Sequence, residues 1–376
     1  MLANLQELRE KMEREGFDAI LLTSPENIFY VSGYRALEPP TTLSFIILIG
    51  ELEPILLTPI PEIGSILSTE CWVKDVRFYG RYFIDGAPKQ NIVAESSVES
   101  VIKVFEEEGF NKGVLGIEEG KISQSIYKKL SAFLPQIKLR DASELLYQLR
   151  MIKSEEEIDR IRRAVEASEK ALMKAFNSIK EGISELEISK ALKKALIDEG
   201  AEWTFIELGA GARSGLPNEQ PSNYKVKRGD VIRLDFGAIL NGYCSDISRN
   251  AVVGEASERV RRIHEALLKG EMAAIEAVKP GVKASEIFRI GQETIRRAGL
   301  PNFTRYNLGH GIGLSTHEPP LISPENDELI REGMVFTIEV PYYIYNYGGF
   351  NLEDVVLVTE DGYELISTLT HELLVL

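Results

Sequence analysis

The chain is poor in histidine, tryptophan and cysteine, carries no long apolar run, and has fewer basic than acidic residues. Its two cysteines, Cys71 and Cys244, form no metal-ligand or disulfide pattern and read as free thiols of a cytosolic protein. The longest apolar stretch is LSFIILI at 43–49, far short of the ~20 residues of a membrane-spanning helix. The N-terminus shows no basic segment followed by an apolar core and a small-residue cleavage site, so the expected location is cytoplasmic. Forty-three Lys and Arg against 58 Asp and Glu leave a formal charge of −15. That balance excludes nucleic acid and anionic membrane as default partners, since both need basic surface. The glycine-rich LGAGARSG (208–215) lacks the lysine and helix start of a phosphate loop. What remains is 376 residues, 44% hydrophobic and 27% charged, a globular composition too long for one typical core. Two domains are expected.

Residues 1–150 alternate short apolar strands with amphipathic helices, which predicts an α/β domain. The first helix covers Leu2 to Phe17, with Gly16 as its C-terminal stop, and helical runs follow at 97–108 and 123–133. This region holds no histidine, and the aromatic cluster Phe78-Tyr79-Gly80-Arg81-Tyr82-Phe83 reads as strand and loop packing. A boundary falls near Met151, and residues 151–376 form the second domain. There Ser154 with Glu157, and Ser184 with Glu187, have the spacing of capping boxes at the starts of two helices.

The second domain centres on VIRLDFGAILNGYCSDISRNAVV (231–253). Asn241-Gly242 between two apolar-rich runs predicts a hairpin with a two-residue turn. That register sets Asp235 opposite Ser248 and makes Asp246 its diagonal neighbour on the same face, roughly 7–8 Å away at Cβ. Two carboxylates facing each other in an apolar sheet repel and lose hydration unless a cation sits between them.

The segment then recurs. GISELEI (182–188) matches GVKASEI (281–287), LGAGARSG (208–215) matches LGHGIGLS (308–315), and RGDVIRLDF (228–236) matches EGMVFTIEV (332–340). YCSDISRNAVV (243–253) matches FNLEDVVLV (350–358), which aligns Asp246 with Glu353. Each half runs helix, helix, glycine-rich strand, hairpin, with one acid on each hairpin strand: Asp235 and Asp246, then Glu339 and Glu353. An approximate two-fold relation would converge these four carboxylates. His310, flanked by glycines, and His317 lie just upstream of the second hairpin, whereas His264 and His371 have no supporting acids in the repeat and read as surface or packing residues. Four carboxylates and an imidazole suit Mn²⁺, Co²⁺, Fe²⁺ or Zn²⁺. Several acids able to bridge suit a pair of ions about 3.5–4 Å apart. Such a pair would polarise a carbonyl and hold a bridging hydroxide as nucleophile.

On these residues the chain resembles the pita-bread metallopeptidases, the group of prolidase (Xaa-Pro dipeptidase), aminopeptidase P, methionine aminopeptidase and creatinase. SPENIFYVSGY (24–34) is similar to the creatinase/prolidase N-terminal domain, and LRMIKSEEEIDRIRRA (149–164) to the junction that precedes the catalytic domain. The resemblance implies an α+β pita-bread catalytic domain with an internal pseudo-two-fold repeat behind the α/β N-terminal domain. It implies five metal ligands: Asp235 on one ion, His310 and Glu339 on the other, and Asp246 and Glu353 bridging. Glu339 would also be general base and His317 would steady the substrate or the oxyanion. A homodimer is implied as well. The chain departs from the pattern twice. Asn218 stands where these peptidases usually carry a histidine in the segment SGLPNEQPSNYKVKRGD, and Asn351 stands where proline-specific members carry an arginine two residues before the last ligand. An amide keeps hydrogen bonding but cannot replace a guanidinium's bidentate charge.

The expected activity is therefore two-metal hydrolysis of the Xaa-Pro bond of dipeptides, a tertiary amide without an N–H. The departures at Asn218 and Asn351, taken here as substrate-binding positions, leave open aminopeptidase P-like cleavage of Xaa-Pro-Yaa or hydrolysis of another small amide. A non-catalytic binding protein on the same fold is the remaining alternative, and its mark would be decay of the ligand set.

Overall fold

A computed structural model describes residues 2–35, 43–69, 71–81, 84–86 and 91–376. The chain forms two compact units, Met1–Arg150 and Met151–Leu376. No helix among the described residues is long and apolar enough to cross a membrane.

The first unit is built on a seven-stranded mixed sheet in the order 92–94, 75–79, 55–59, 45–49, 19–22, 113–117, 137–141. Strand Ala19–Leu22 is buried throughout, as its run of aliphatic residues requires. The first helix spans Leu5–Glu15 and ends on Gly16 in the left-handed conformation. A helix the periodicity does not announce spans Pro25–Ser32, capped by the Ser24 side chain with proline at its first turn. Glu118 secures its start: the buried carboxylate accepts from the Thr23 and Ser24 N–H groups, the Ser24 hydroxyl and the Asn27 amide. In the aromatic cluster, Phe78 and Tyr79 are buried in strand Asp75–Tyr79; Tyr82 and Phe83 lie outside the described residues.

In the second unit both capping boxes form, opening helices Glu155–Phe176 and Glu185–Asp198. Their counterparts one repeat later are helices Glu258–Glu276 and Ala284–Arg297. The sheet reads Trp203–Ala210, Val231–Leu240, Ile247–Val252, then Glu353–Val358, Val335–Glu339, His310–Gly311. The order is thus repeated with reversed sense about the line between strands 247–252 and 353–358. The turn at Asn241-Gly242 has positive φ at both residues (50° and 83°), the type I′ geometry that matches strand twist. Asp235 then pairs with Ser248, as the turn length dictates.

The halves meet through very little ladder. Ser248↔Glu353 is the registered pair between strands 247–252 and 353–358. Side chains replace the missing backbone bonds. The Asn250 amide donates to Asn351 O (2.8 Å) and accepts from Asn351 N–H (3.0 Å), and the Arg249 guanidinium donates to Glu353 O (2.9 Å).

Behind this seam Arg249 also pairs with Asp354 at 2.6 Å, both fully buried. His264 and His371 border the same network: His264 is a packing residue, as expected, while His371 has a supporting acid in Asp354, which corrects its reading. His264 is 3% exposed and its ring Nε2 lies 2.8 Å from His371 O, while the His371 ring lies 2.6 Å from Asp354 Oδ2. Arg249 and Asp354 are 105 positions apart, His264 and His371 107, and His371 and Asp354 17, all beyond the reach of a local pattern.

One glycine is required by close approach. Gly309 has φ 143°, and a Cβ there would lie 1.9 Å from Thr337 O on the strand that ends in Glu339. Gly309→Ala is expected to cost about 1–3 kcal/mol from overpacking against backbone, read as a lower denaturation midpoint at unchanged slope.

Candidate metal centre

Cross-strand pairing places one row of side chains on a single face of the sheet: Glu207↔Asp235↔Ser248↔Glu353↔Glu339. Asp246, two residues before Ser248, points to the same face by the period of the strand. Carboxylate oxygens of Asp235, Asp246 and Glu353 lie within 4.8 Å of one another, as do ligand atoms of Asp246, His310 and His317. His310 Nδ1 sits 3.1 Å from Gly311 O, which assigns the proton there and turns Nε2 toward the acids. Nε2 is 3.7 Å from Asp246 Oδ2 and 3.9 Å from Glu353 Oε1. The exposed His317 ring stacks on that of His310, with centroids 3.8 Å apart. Glu339 faces Glu353 directly across the pair and lies outside the two tight groups.

Asn351 is fully buried. Its amide donates to Ser248 Oγ (2.9 Å) and Asp235 Oδ2 (3.3 Å), so it orients a carboxylate of the row. Asn218 is exposed in a left-handed conformation (φ 54°), and its backbone N–H, not its amide, serves the row by bonding the Glu207 carboxylate.

Three members of the surroundings are missing from the sequence reading. Glu207 extends the acidic row by one strand. Arg233, fully buried and on the same strand face as Asp235, donates through Nε and Nη2 to the carbonyls of Ser214 and Leu216, and its Nη1 lies 3.7 Å from Glu207 and 3.9 Å from Asp235. Tyr343 lies beside Arg233, its ring centroid 5.2 Å from the guanidinium. Arg233 alone had a legible signal, being two residues before Asp235 on one strand.

Burial and mutual repulsion disfavour charge in this cluster. Burial, then the charges of neighbouring acids, push Asp246 and Glu353 well above the ordinary carboxylate range. Burial and Asp235 push Glu339 up to about 7, against the opposing pull of Arg305. Burial lowers His310 to about 4, and the His317 ring adds to that. Asp246 Oδ1 and Glu353 Oε1 are buried and accept no hydrogen bond. Orphaned carboxylate oxygens converging with an imidazole nitrogen are costly as they stand and are the hard-to-borderline donor set a divalent ion takes. The residues therefore fit a metal.

A consequence concerns stability without metal. A carboxyl whose folded pKa exceeds its unfolded value binds more protons folded than unfolded, so stability falls as pH rises between the two. His310 has the opposite sign, but its window closes near the unfolded histidine value of about 6.5. Between pH 6.5 and 8.5 the carboxyls alone remain. The stability of chelator-treated protein is expected to fall across that interval, by at most about 1.4 kcal/mol per group per pH unit, so that its melting temperature drops and recovers on adding Mn²⁺. A thermal series with and without chelator reads it.

A repeated sheet that gathers acids and an imidazole on one face, behind two pairs of packed helices, defines a metal-dependent hydrolase. The profile of metallopeptidase family M24 matches residues 159–360, and that of the creatinase/prolidase N-terminal domain matches residues 4–152. The chain is 32% identical over 376 residues to the Xaa-Pro dipeptidase of Pyrococcus furiosus, covering 100% of both. Among solved structures it resembles the X-Pro aminopeptidase of Thermotoga maritima (TM-score 0.85, 30% identity, 99% of each chain). It also resembles the prolidase of Pyrococcus horikoshii (TM-score 0.86, 30% identity, 98% of this chain and 99% of that one). The chain belongs to metallopeptidase family M24, and its pita-bread unit follows a creatinase-type N-terminal region.

Proposed function

We propose that the protein hydrolyses Xaa-Pro dipeptides with two divalent ions held on the acidic row. The observation that carries this is the convergence of Asp235, Asp246 and Glu353 within 4.8 Å, with His310 against Asp246 and Glu353, and with orphaned carboxylate oxygens between them. Full-length similarity to an Xaa-Pro dipeptidase supports the substrate class. Asp235 would hold one ion, His310 and Glu339 the other, and Asp246 and Glu353 would span both. Bound there, divalent ions supply Lewis acidity toward a scissile carbonyl and the attacking water.

The rest falls to the chain's own groups. Glu339, with a carboxyl raised to about 7, is suited to take a proton from the attacking water and return it to the leaving amine. His317, exposed beside His310, is placed to donate to the carbonyl oxygen as charge develops there. Asn351 orients Asp235, and Arg233 offsets the charge of Asp235 and Glu207. Asn218 lies on the exposed loop beside Glu207, where it would meet the substrate. Residues 1–150 would act as the creatinase-type N-terminal domain and 151–376 as the catalytic domain. The resemblance supports a cytoplasmic homodimer using Mn, Co, Fe or Zn.

Purified protein loaded with Mn²⁺ or Co²⁺ is expected to cleave Leu-Pro and Met-Pro. Absence of turnover on these and on Xaa-Pro-Yaa would end the proline assignment. Faster cleavage of Xaa-Pro-Yaa would favour the second reading, an aminopeptidase, which the departures at Asn218 and Asn351 and the likeness to an X-Pro aminopeptidase support.

A further inference from the structure

Two guanidiniums approach the ring of Tyr343. Arg233 is fixed by two carbonyls and faces two carboxylates. Arg305, in the loop that leads into His310, is placed differently. It is half-buried, with its guanidinium 5.8 Å from the Tyr343 ring and 5.5 Å from the Tyr306 ring. Its Nε is buried and makes no hydrogen bond. None of the ion pairs among the described residues involves Arg305. Its charge is felt at the row all the same, because it draws the Glu339 carboxyl downward against burial.

A guanidinium cannot shed its proton, and its fork of donors matches a carboxylate bidentately. Two aromatic faces offset part of the lost hydration without using those donors. Tyr306 and Tyr345, 70% and 77% exposed, flank Arg305 and Tyr343 in sequence and give an aromatic rim that a small ligand could cover. The Tyr343 hydroxyl, raised to about 12 mainly by burial, stays protonated and remains a donor. The arrangement is a fixed cation, next to a hydrolytic centre, with directional donors unused.

We propose that Arg305, whose guanidinium lies over the Tyr306 and Tyr343 rings, is a carboxylate subsite: it binds the free carboxylate of the residue on the leaving side of the scissile bond. This rests on the peptidase reading, and it makes Arg305 the residue that selects dipeptides over amides and longer peptides. In a dipeptide that carboxylate is one residue from the scissile carbonyl, so only a cation beside the centre can reach it.

The test compares Leu-Pro with leucyl-prolinamide on metal-loaded full-length protein and its Arg305→Gln and Arg305→Lys variants. For Arg305→Gln the loss in kcat/KM on Leu-Pro is expected to exceed the loss on the amide by at least tenfold, mostly in KM. Arg305→Lys should fall between, because it keeps the charge and loses the fork. Equal losses on the two substrates would overturn the subsite. Should the wild-type protein turn over neither substrate, the peptidase reading fails and the subsite is still tested by binding. L-Proline should raise the melting temperature of wild type more than that of Arg305→Gln, with prolinamide giving no such difference. Equal responses of both proteins to proline, including none, would overturn it.

Discussion

Glu353→Gln is expected to lower kcat/KM by three orders of magnitude or more, about 4 kcal/mol of transition-state stabilisation, while raising the stability of the metal-free protein. The two effects share one cause. Glu353 sits at the crossing of the row: it pairs with Ser248 on one side and Glu339 on the other, and its Oε1 is buried without a hydrogen bond 3.9 Å from His310. A neutral amide of the same shape cannot neutralise an ion, so metal affinity and turnover fall together. Without metal, however, the carboxylate is a liability, since burial and then Asp246 and Asp235 press it toward its neutral form. Removing that charge relieves its neighbours. A melting temperature of chelated Glu353→Gln above that of chelated wild type at pH 8, with turnover lost, is the expected pair of results. A variant that is simply less stable under both conditions would contradict the placement of Glu353 among mutually repelling acids.

Arg249→Met is expected to destabilise the catalytic unit by about 3–5 kcal/mol, the cost of leaving a buried ion without its partner. Arg249 is 2% exposed and donates to Asp354 and to the carbonyls of Ser248, Glu353, Leu369 and Thr370. Two acids depend on that charge. Asp354 is held below the usual range by Arg249 and His371 against the penalty of its burial. Glu271, fully buried, is pushed well above the range by burial and by Asp354. Methionine keeps the packing of the stem and removes the charge, so what is lost is electrostatic. For a unit of this size the melting temperature should drop by roughly 10 °C. Adding Asp354→Leu should recover part of the loss, which a double-mutant cycle would read as coupling.

How far the sequence carried these conclusions differs from one element to the next. The Asn241-Gly242 turn determines the pairing of Asp235 with Ser248 because loop length sets hairpin register. The two capping boxes were legible because Ser and Glu at three-residue spacing satisfy each other locally. The convergence of the acids followed from the repeat, in which they fall at matching places in both halves, and the fold class from the family resemblance those residues carry. The helix at Pro25–Ser32 escaped because its eight residues are too few for a periodic pattern, and its cap is secured by Glu118 from far along the chain. Glu207, Tyr343 and Arg305 escaped for a related reason: each joins the site from a separate segment, and only strand pairing or ring contact brings it there. Asn351 has a place that residue type alone does not suggest, its amide being engaged with Asp235 and Ser248 inside the sheet.

The seam between strands 247–252 and 353–358 has a consequence for how the molecule opens. Strands 247–252 and 353–358 share one registered backbone pair, helped by Asn250, Asn351 and Arg249, and the C-terminal strand Leu374–Val375 adds a parallel pairing to strand 247–252 from the far end of the chain. Asp246 belongs to the first half and Glu353 to the second, so an ion gripped by both is a reversible rivet across this sparsely paired seam. Amide hydrogen exchange at the Ile247–Val252 and Glu353–Val358 strands should therefore slow on metal loading far more than exchange in helices 155–176 or 258–276. Metal in this protein would then determine not only whether the centre can react but also whether the two half-sheets part.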